Sequence, residues 1–212
     1  MTAALPRRAA TVIALAGALP WLAPLAVHGA TAGSPAAPIQ ALDDALLQAM
    51  HAGAATPFAE RAKIIAPAVE RAFDLAQILR SSVGPRWSAI PGPQQADLLA
   101  VFTRYTVASY TANFDSYSGE RFEILPDLRQ VGTDEVVQTR IEPVSGEATR
   151  IDYQMRQTPA GWRAVDVLLE GSISRVAVQR SDFRALLATG DPGPLIASLR
   201  SKIAGLESGG KP

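Results

Sequence analysis

The chain has 212 residues with 20 basic and 20 acidic side chains, a net charge of zero, and so no electrostatic claim on nucleic acid. It contains no cysteine and two histidines, which removes disulfide stapling, lipid attachment through cysteine, thiolate chemistry and the usual zinc or copper sites. About 180 residues remain beyond an N-terminal leader, enough for one domain with a sizeable core.

The leader comes first in the chain. Arg7-Arg8 precede an uncharged apolar run from Thr11 to Val27, and small residues follow at Gly29-Ala30-Thr31-Ala32. That pattern is a secretory signal peptide over residues 1–32, cleaved near Ala30 or Ala32 by the general export route. Pro20, Pro24 and the modest length of the run argue against a membrane-spanning helix. Loss of Arg7 and Arg8 leaves the mature protein at a net charge of about −2, exported to the periplasm with no second apolar segment to hold it in a membrane. A Pro/Ala/Gly-rich linker (33–38), one domain (39–207) and a short tail (208–212) complete the expected organisation.

The first half of the domain has helical period. Ile39 to His51 carries Leu42, Leu46, Leu47 and Met50 near helical spacing. Thr56-Pro57 reads as an N-cap followed by proline at the first helical position, opening a helix to about Ile65. Another is expected from Pro67 to a stop at Gly84-Pro85, carrying Val69, Phe73, Ile78 and Leu79. Pro91-Gly92-Pro93 opens the longest helix, Gln94 to about Phe114, with Leu98, Val101, Phe102, Tyr105 and Ala108 recurring every three or four residues.

The second half switches to period two. Strands are expected at Arg121 to Leu128, Glu135 to Glu142, Ala148 to Gln157 and Trp162 to Glu170, a four-stranded antiparallel meander. In the third, Ile151, Tyr153 and Met155 alternate with Asp152, Gln154 and Arg156. In the fourth, Val165, Val167 and Leu169 share one side, while Ala164, Asp166 and Leu168 share the other. Ser181-Asp182 are expected to cap a last pair of helices, divided at Gly190, restarted at Pro194 and ending near Leu206. Helices before and after a small curved sheet give an α+β domain.

Little in this chain speaks of catalysis. With His28 in the leader, His51 is the one histidine of the domain, expected at a helix C-terminus on the surface. Asp43-Asp44 are expected as dipole partners in a first helical turn. Asp166 and Glu170 are expected to pair across strands with Arg150, Arg156 and Arg163. No GxSxG elbow, SxxK pattern, phosphate loop or calcium loop is present. No cofactor, metal ligand or catalytic residue is expected. The apolar faces of helices and sheet fit either an ordinary packed core or a lined cavity.

One set of segments shifts the balance between these readings. FDLAQIL at Phe73 to Leu79, Gly84 with Trp87, the helix opening Pro93 to Gln95, Phe102 with Tyr105, and the whole stretch Arg150 to Phe183 resemble, in order and spacing, the MlaC family of periplasmic lipid carriers. GSISRVAVQRSDF resembles most the hopanoid-biosynthesis-associated HpnM branch. The resemblance implies that the α+β body, with N-terminal helices, a four-stranded antiparallel curved sheet and C-terminal helices, encloses a hydrophobic pocket for phospholipid or a hopanoid-type lipid. Its implied lining is Phe73, Leu79, Phe102, Tyr105, Tyr153, Met155, Val165, Val167 and Ile173. It further implies a non-enzymatic monomer moving lipid between an inner-membrane transporter complex and an outer-membrane acceptor. Arg175, Arg180 and Arg184 are the expected docking residues. Two other classes compete: a cavity-free adaptor for protein partners, and an exported enzyme of the cone-shaped α+β type, disfavoured by the single histidine and the lack of a convergent polar cluster.

Overall fold

The computed structural model describes residues 33–210. The expected signal peptide, its cleavage position and the end of the expected tail lie outside the described residues. Six α-helices and one open antiparallel sheet of five strands, in the order β1-β2-β3-β4-β5, make an α+β fold.

Helix α1 (Ala37–Ala52) buries Ile39, Leu42, Leu46 and Ala49 at helical spacing and stops at Gly53, whose φ of 74° is open to glycine. It begins inside the expected linker, because Pro38 fits the first turn of a helix. Asp43 therefore sits beyond the first turn and is buried, while Asp44 is exposed and accepts a 3.0 Å bond from Gln40 Nε2. The expectation that this pair serves the helix dipole is corrected.

Helix α2 (Phe58–Ala72) runs straight through Pro67. Its N-cap is Pro57, and Thr56 instead donates its hydroxyl to the Ala52 carbonyl at 2.7 Å. The break expected near Pro67 falls at Phe73-Asp74. There Phe73 is extended and forms a parallel bridge with Ala164, and the Asp74 N–H donates to the Ala164 carbonyl at 2.9 Å. Asp74 then caps α3 (Leu75–Val83) by accepting the Gln77 N–H at 2.9 Å. A proline inside a helix costs one backbone bond, whereas leaving the helix at Phe73 gains backbone bonds from the sheet. A 3-10 turn (Gly84–Ala89) leads to α4 (Gly92–Asn113), 22 residues and about 33 Å long.

Strands β1 (Arg121–Val131), β2 (Asp134–Glu142), β3 (Thr149–Thr158) and β4 (Gly161–Leu169) form the expected meander. The fifth strand, β5 (Ile173–Ser174), corrects the count of four. It arises because the chain reverses through two left-handed residues, Glu170 (φ 50°) and Gly171 (φ 70°), and returns along β4. Helix α5 (Arg175–Leu186) follows at once, capped by Ser174, whose Oγ accepts the Ala177 N–H at 3.0 Å. Ser181 and Asp182 thus lie in mid-helix rather than at a cap. Helix α6 (Gly193–Glu207) closes the fold.

Helices α2, α3 and α5 all pack on β4, and α4 lies between α2 and α6. The shared core joins helical residues such as Leu46, Ile65, Phe102 and Leu199 to Val137, Tyr153, Met155 and Ala164 of the sheet. Charged residues tie the strands together. Arg156 holds Asp134 by two bonds of 2.8 and 2.7 Å, and its guanidinium keeps that buried carboxyl below the usual carboxylate range. Arg150 holds Asp152 within β3, and Arg163 donates to the carbonyls of Glu70 and Phe73. Asp166 and Glu170 take no part in these ion pairs, which corrects their expected role.

Candidate functional site

A cleft of about 570 Å³ opens between α3, α4, α5 and strands β3 and β4. Helix α4 supplies its long wall. Phe102, Thr106, Ser109 and Asn113 follow at four-, three- and four-residue steps with Tyr105 and Tyr110 beside them, so one stripe of the helix faces the cleft along its C-terminal half. Phe114 extends that wall past the helix end. Leu75 and Ile78 of α3, Ile151 of β3, Val167 and Leu169 of β4 and Val176 of α5 complete an apolar lining.

Aromatic rings support the wall from behind and beside. Phe73 lies 5.7 Å from Tyr110 and 6.1 Å from Tyr153, Tyr110 stacks on Phe114 at 6.0 Å, and Phe114 meets Phe122 at 5.8 Å. Such offset and tilted pairs are favourable arrangements that fix ring orientation. Burial pushes the Tyr110 and Tyr153 hydroxyls well above the ordinary phenol range. Asp43 acts electrostatically on both hydroxyls, and its own carboxyl is pushed up to about 8 by burial and then by neighbouring Asp44.

The polar lining is sparse and mostly committed. Asp166 accepts the Val167 N–H at 2.8 Å, the Val176 N–H at 3.1 Å and the Ser174 hydroxyl, clamping β4 to the start of α5. Thr106 donates to the Phe102 carbonyl at 3.0 Å, and Gln179 accepts the Ser82 hydroxyl at 2.9 Å. Arg175, Asp182 and Lys202 also border the cleft. Lys202 sits 5.8 Å from the Tyr105 ring centroid. Among the described residues no group of three or more His, Cys, Asp or Glu is placed to hold a metal. His51 is exposed at the end of α1, its ring 4.0 Å from that of Tyr117.

Of the nine residues expected to line a pocket, the structure brings Phe73, Phe102, Tyr105 and Val167 to the cleft. Leu79, Tyr153 and Met155 are packed in the core behind it. Val165 is buried but lies outside the lining, and Ile173 is 51% exposed. The cause at Val165 is a bulge: Gln154 pairs with Asp166 and Met155 with Ala164, so Val165 is the unmatched extra residue. Residues directly opposite share a face, so Ala164 joins Met155 and Val167 joins Tyr153, and the expected alternation breaks between them. Of the three arginines, Arg175 borders the cleft, Arg180 donates Nε and Nη2 to the Ser81 carbonyl at 2.9 and 2.7 Å, and Arg184 is exposed in the last turn of α5. Leu75, Ile78, Tyr110, Phe114, Leu169 and Val176 were not expected. Continuing the α4 stripe from Phe102 by fours, to Thr106 and Tyr110, gives the signal for the first aromatic. Ala108 ends the stripe wrongly because it faces the core.

Residues 40–201 match the family described as MlaC protein. No curated protein matches the chain. Among solved structures, the phospholipid-binding protein from Ralstonia solanacearum, in complex with a phospholipid, is similar with a TM-score of 0.69 and 20% identity, over 80% of this chain and 97% of that one. At that identity the likeness is one of fold.

Proposed function

The chain belongs to the MlaC family, and from that premise we propose that it is a lipid-binding carrier, taking the apolar part of a lipid into the cleft along α4. The observation that carries this reading is the cleft itself: about 570 Å³ walled by Phe102, Tyr110, Phe114, Val167 and Leu169, within the size range of small-molecule sites. A protein of the same fold in complex with a phospholipid supports it. The task is desolvation, since each methylene removed from water contributes about 0.8 kcal/mol. It requires no reacting group, so the reading is of a binding protein and not an enzyme.

The cargo is a phospholipid or, following the resemblance of residues 171–183 to the HpnM branch, a hopanoid-type lipid. The signal-like segment at residues 1–32 supports a periplasmic location, and among the described residues no helix is long and apolar enough to cross a membrane. A periplasmic carrier would exchange lipid with an inner-membrane transporter complex and an outer-membrane acceptor. Arg184 and the outward edge of Arg175 and Arg180 are the residues proposed to meet them. Native mass spectrometry of the purified protein tests the central claim. A bound species of lipid mass, released by organic extraction, is expected. A protein that carries no lipid and takes up none from phospholipid vesicles overturns it.

A further inference from the structure

Ser109 lines the apolar cleft, and its hydroxyl is the one buried side-chain polar atom among the described residues with no hydrogen-bond partner. Two neighbours on the same helix show what it forgoes. Thr106 and Thr111 donate to the carbonyls four residues back, at 3.0 and 2.8 Å, the usual resort of a hydroxyl on a helix. A buried hydroxyl left unpaired is costly, and each such group in a folded protein calls for a reason.

A second observation concerns the same cleft. Arg175 borders the cleft, and its charge acts on the hydroxyl of Tyr110, the residue next to Ser109. The Arg175 guanidinium makes no hydrogen bond or ion pair with any described residue. The carboxylate of Asp166, which lines the same cleft, is already occupied by the Val167 and Val176 amides and the Ser174 hydroxyl. Asp182 borders the cleft as well, but it lies seven residues along α5, about 10 Å farther down the helix. The lining of one cleft therefore combines an orphaned hydroxyl with an uncommitted cation.

Resting on the carrier reading, we propose that Ser109 and Arg175 form a polar anchor for an ester-linked anionic glycerolipid. Ser109 donates to an ester carbonyl at the top of an acyl chain, and Arg175 meets the phosphate. Carbonyl and phosphate are separated by the short glycerol unit, so both groups are needed near one end of the cleft. A polycyclic hydrocarbon offers neither an acceptor nor a charge, and the anchor favours glycerophospholipid over that class.

The test uses the full-length exported protein, stripped of lipid, with diacyl phosphatidylglycerol, its dialkyl ether analogue and diacylglycerol as probes in competition, read by native mass spectrometry. Wild type is expected to prefer the ester over the ether lipid on the order of fivefold, the yield of one ordinary hydrogen bond. It should prefer phosphatidylglycerol over diacylglycerol by more, because charge-assisted bonds are stronger. Ser109→Ala is expected to abolish the first preference without lowering the melting temperature. Arg175→Gln should abolish the second. Equal uptake of ester and ether lipid by wild type, or an unchanged preference in Ser109→Ala, overturns the Ser109 role. An unchanged headgroup preference in Arg175→Gln overturns the Arg175 role. Uptake without discrimination sinks this inference alone, whereas no uptake of any probe sinks the carrier reading beneath it.

Discussion

Asp43 is the residue whose environment most opposes its chemistry. Its carboxyl is buried among the residues of α1, with the Tyr110 and Tyr153 hydroxyls under its influence and Asp44 beside it, and its pKa is pushed up to about 8. The native state then keeps a proton that the unfolded chain, near the ordinary value of 3.8, gives up. Stability from this group is complete below pH about 4 and is lost as pH rises toward 8, by at most about 1.4 kcal/mol per pH unit. Asp134 acts in the opposite direction: Arg156 holds it ionised, so its contribution is lost only in acid. Asp43→Asn should therefore flatten the decline in melting temperature between about pH 5 and about pH 8 and leave the acid limb unchanged. Calorimetry across that range checks it, and a variant that retains the wild-type slope contradicts the assignment. Two positions on one face of the sheet test the cleft in the same way. Val167 borders it and Met155 is fully buried behind it. Val167→Trp is expected to fold normally and lose bound lipid, and Met155→Trp to cost about 1–3 kcal/mol through overpacking. Urea titration with lipid extraction separates the two. Both residues alternate correctly in the sequence, and the bulge at Val165 decides which apolar side chains of β4 reach the cleft. A period-two pattern carries no mark of an inserted residue, so that part of the site was not legible.

At the scale of elements, the start of α5 shows where sequence pattern and structure part. The stretch from Ile173 to Phe183 mixes apolar and polar residues with no clean period, and Ser181-Asp182 has the chemistry of a cap. The helix nonetheless begins at Arg175, because Asp166 on β4 reaches across to take the Val176 amide and the Ser174 hydroxyl. A long-range carboxylate at a helix start leaves no local signature. The break at Phe73-Asp74 is similar: Pro67 is the visible helix breaker, but the bridge to Ala164 decides the matter from 91 residues away. By contrast α1, α4 and strands β2 to β4 were legible to within a few residues, since each has one buried face and the matching period. The cap assignment predicts an ordering of variants. Ser174→Ala should cost about 1 kcal/mol and Asp166→Ala about 2, because the latter frees three donors at once. Ser181→Ala, in mid-helix and exposed, should stay within about 0.5 kcal/mol. Equal losses at Ser174 and Ser181 in denaturant titrations would contradict this placement of the helix start.

For the whole molecule, the helices and the sheet meet so that a cleft runs beside α4, and the physics of moving cargo follows from that geometry. A sixteen-carbon acyl chain has about fifteen carbons beyond its ester, and returning it to water costs on the order of 12 kcal/mol. Release into solvent is then slow on any useful timescale, whereas transfer into another apolar site avoids most of that cost. A carrier built on this cleft should therefore deliver lipid by collision. The transfer rate of a fluorescent phospholipid from the purified protein to acceptor vesicles is expected to rise in proportion to vesicle concentration. A rate independent of acceptor concentration would instead mean that desorption into water limits the process, and that the cleft covers far less of the chain than its lining implies. Salt separates one further possibility. With a net charge of zero over the whole sequence, long-range steering is weak, so added salt should alter collision with neutral vesicles little. Acceptor vesicles rich in anionic lipid should speed transfer only if Arg175, Arg180 and Arg184 face the membrane during the encounter. Reversing Arg184, which is exposed and not part of the cleft lining, should remove that acceleration and leave transfer to neutral vesicles unchanged.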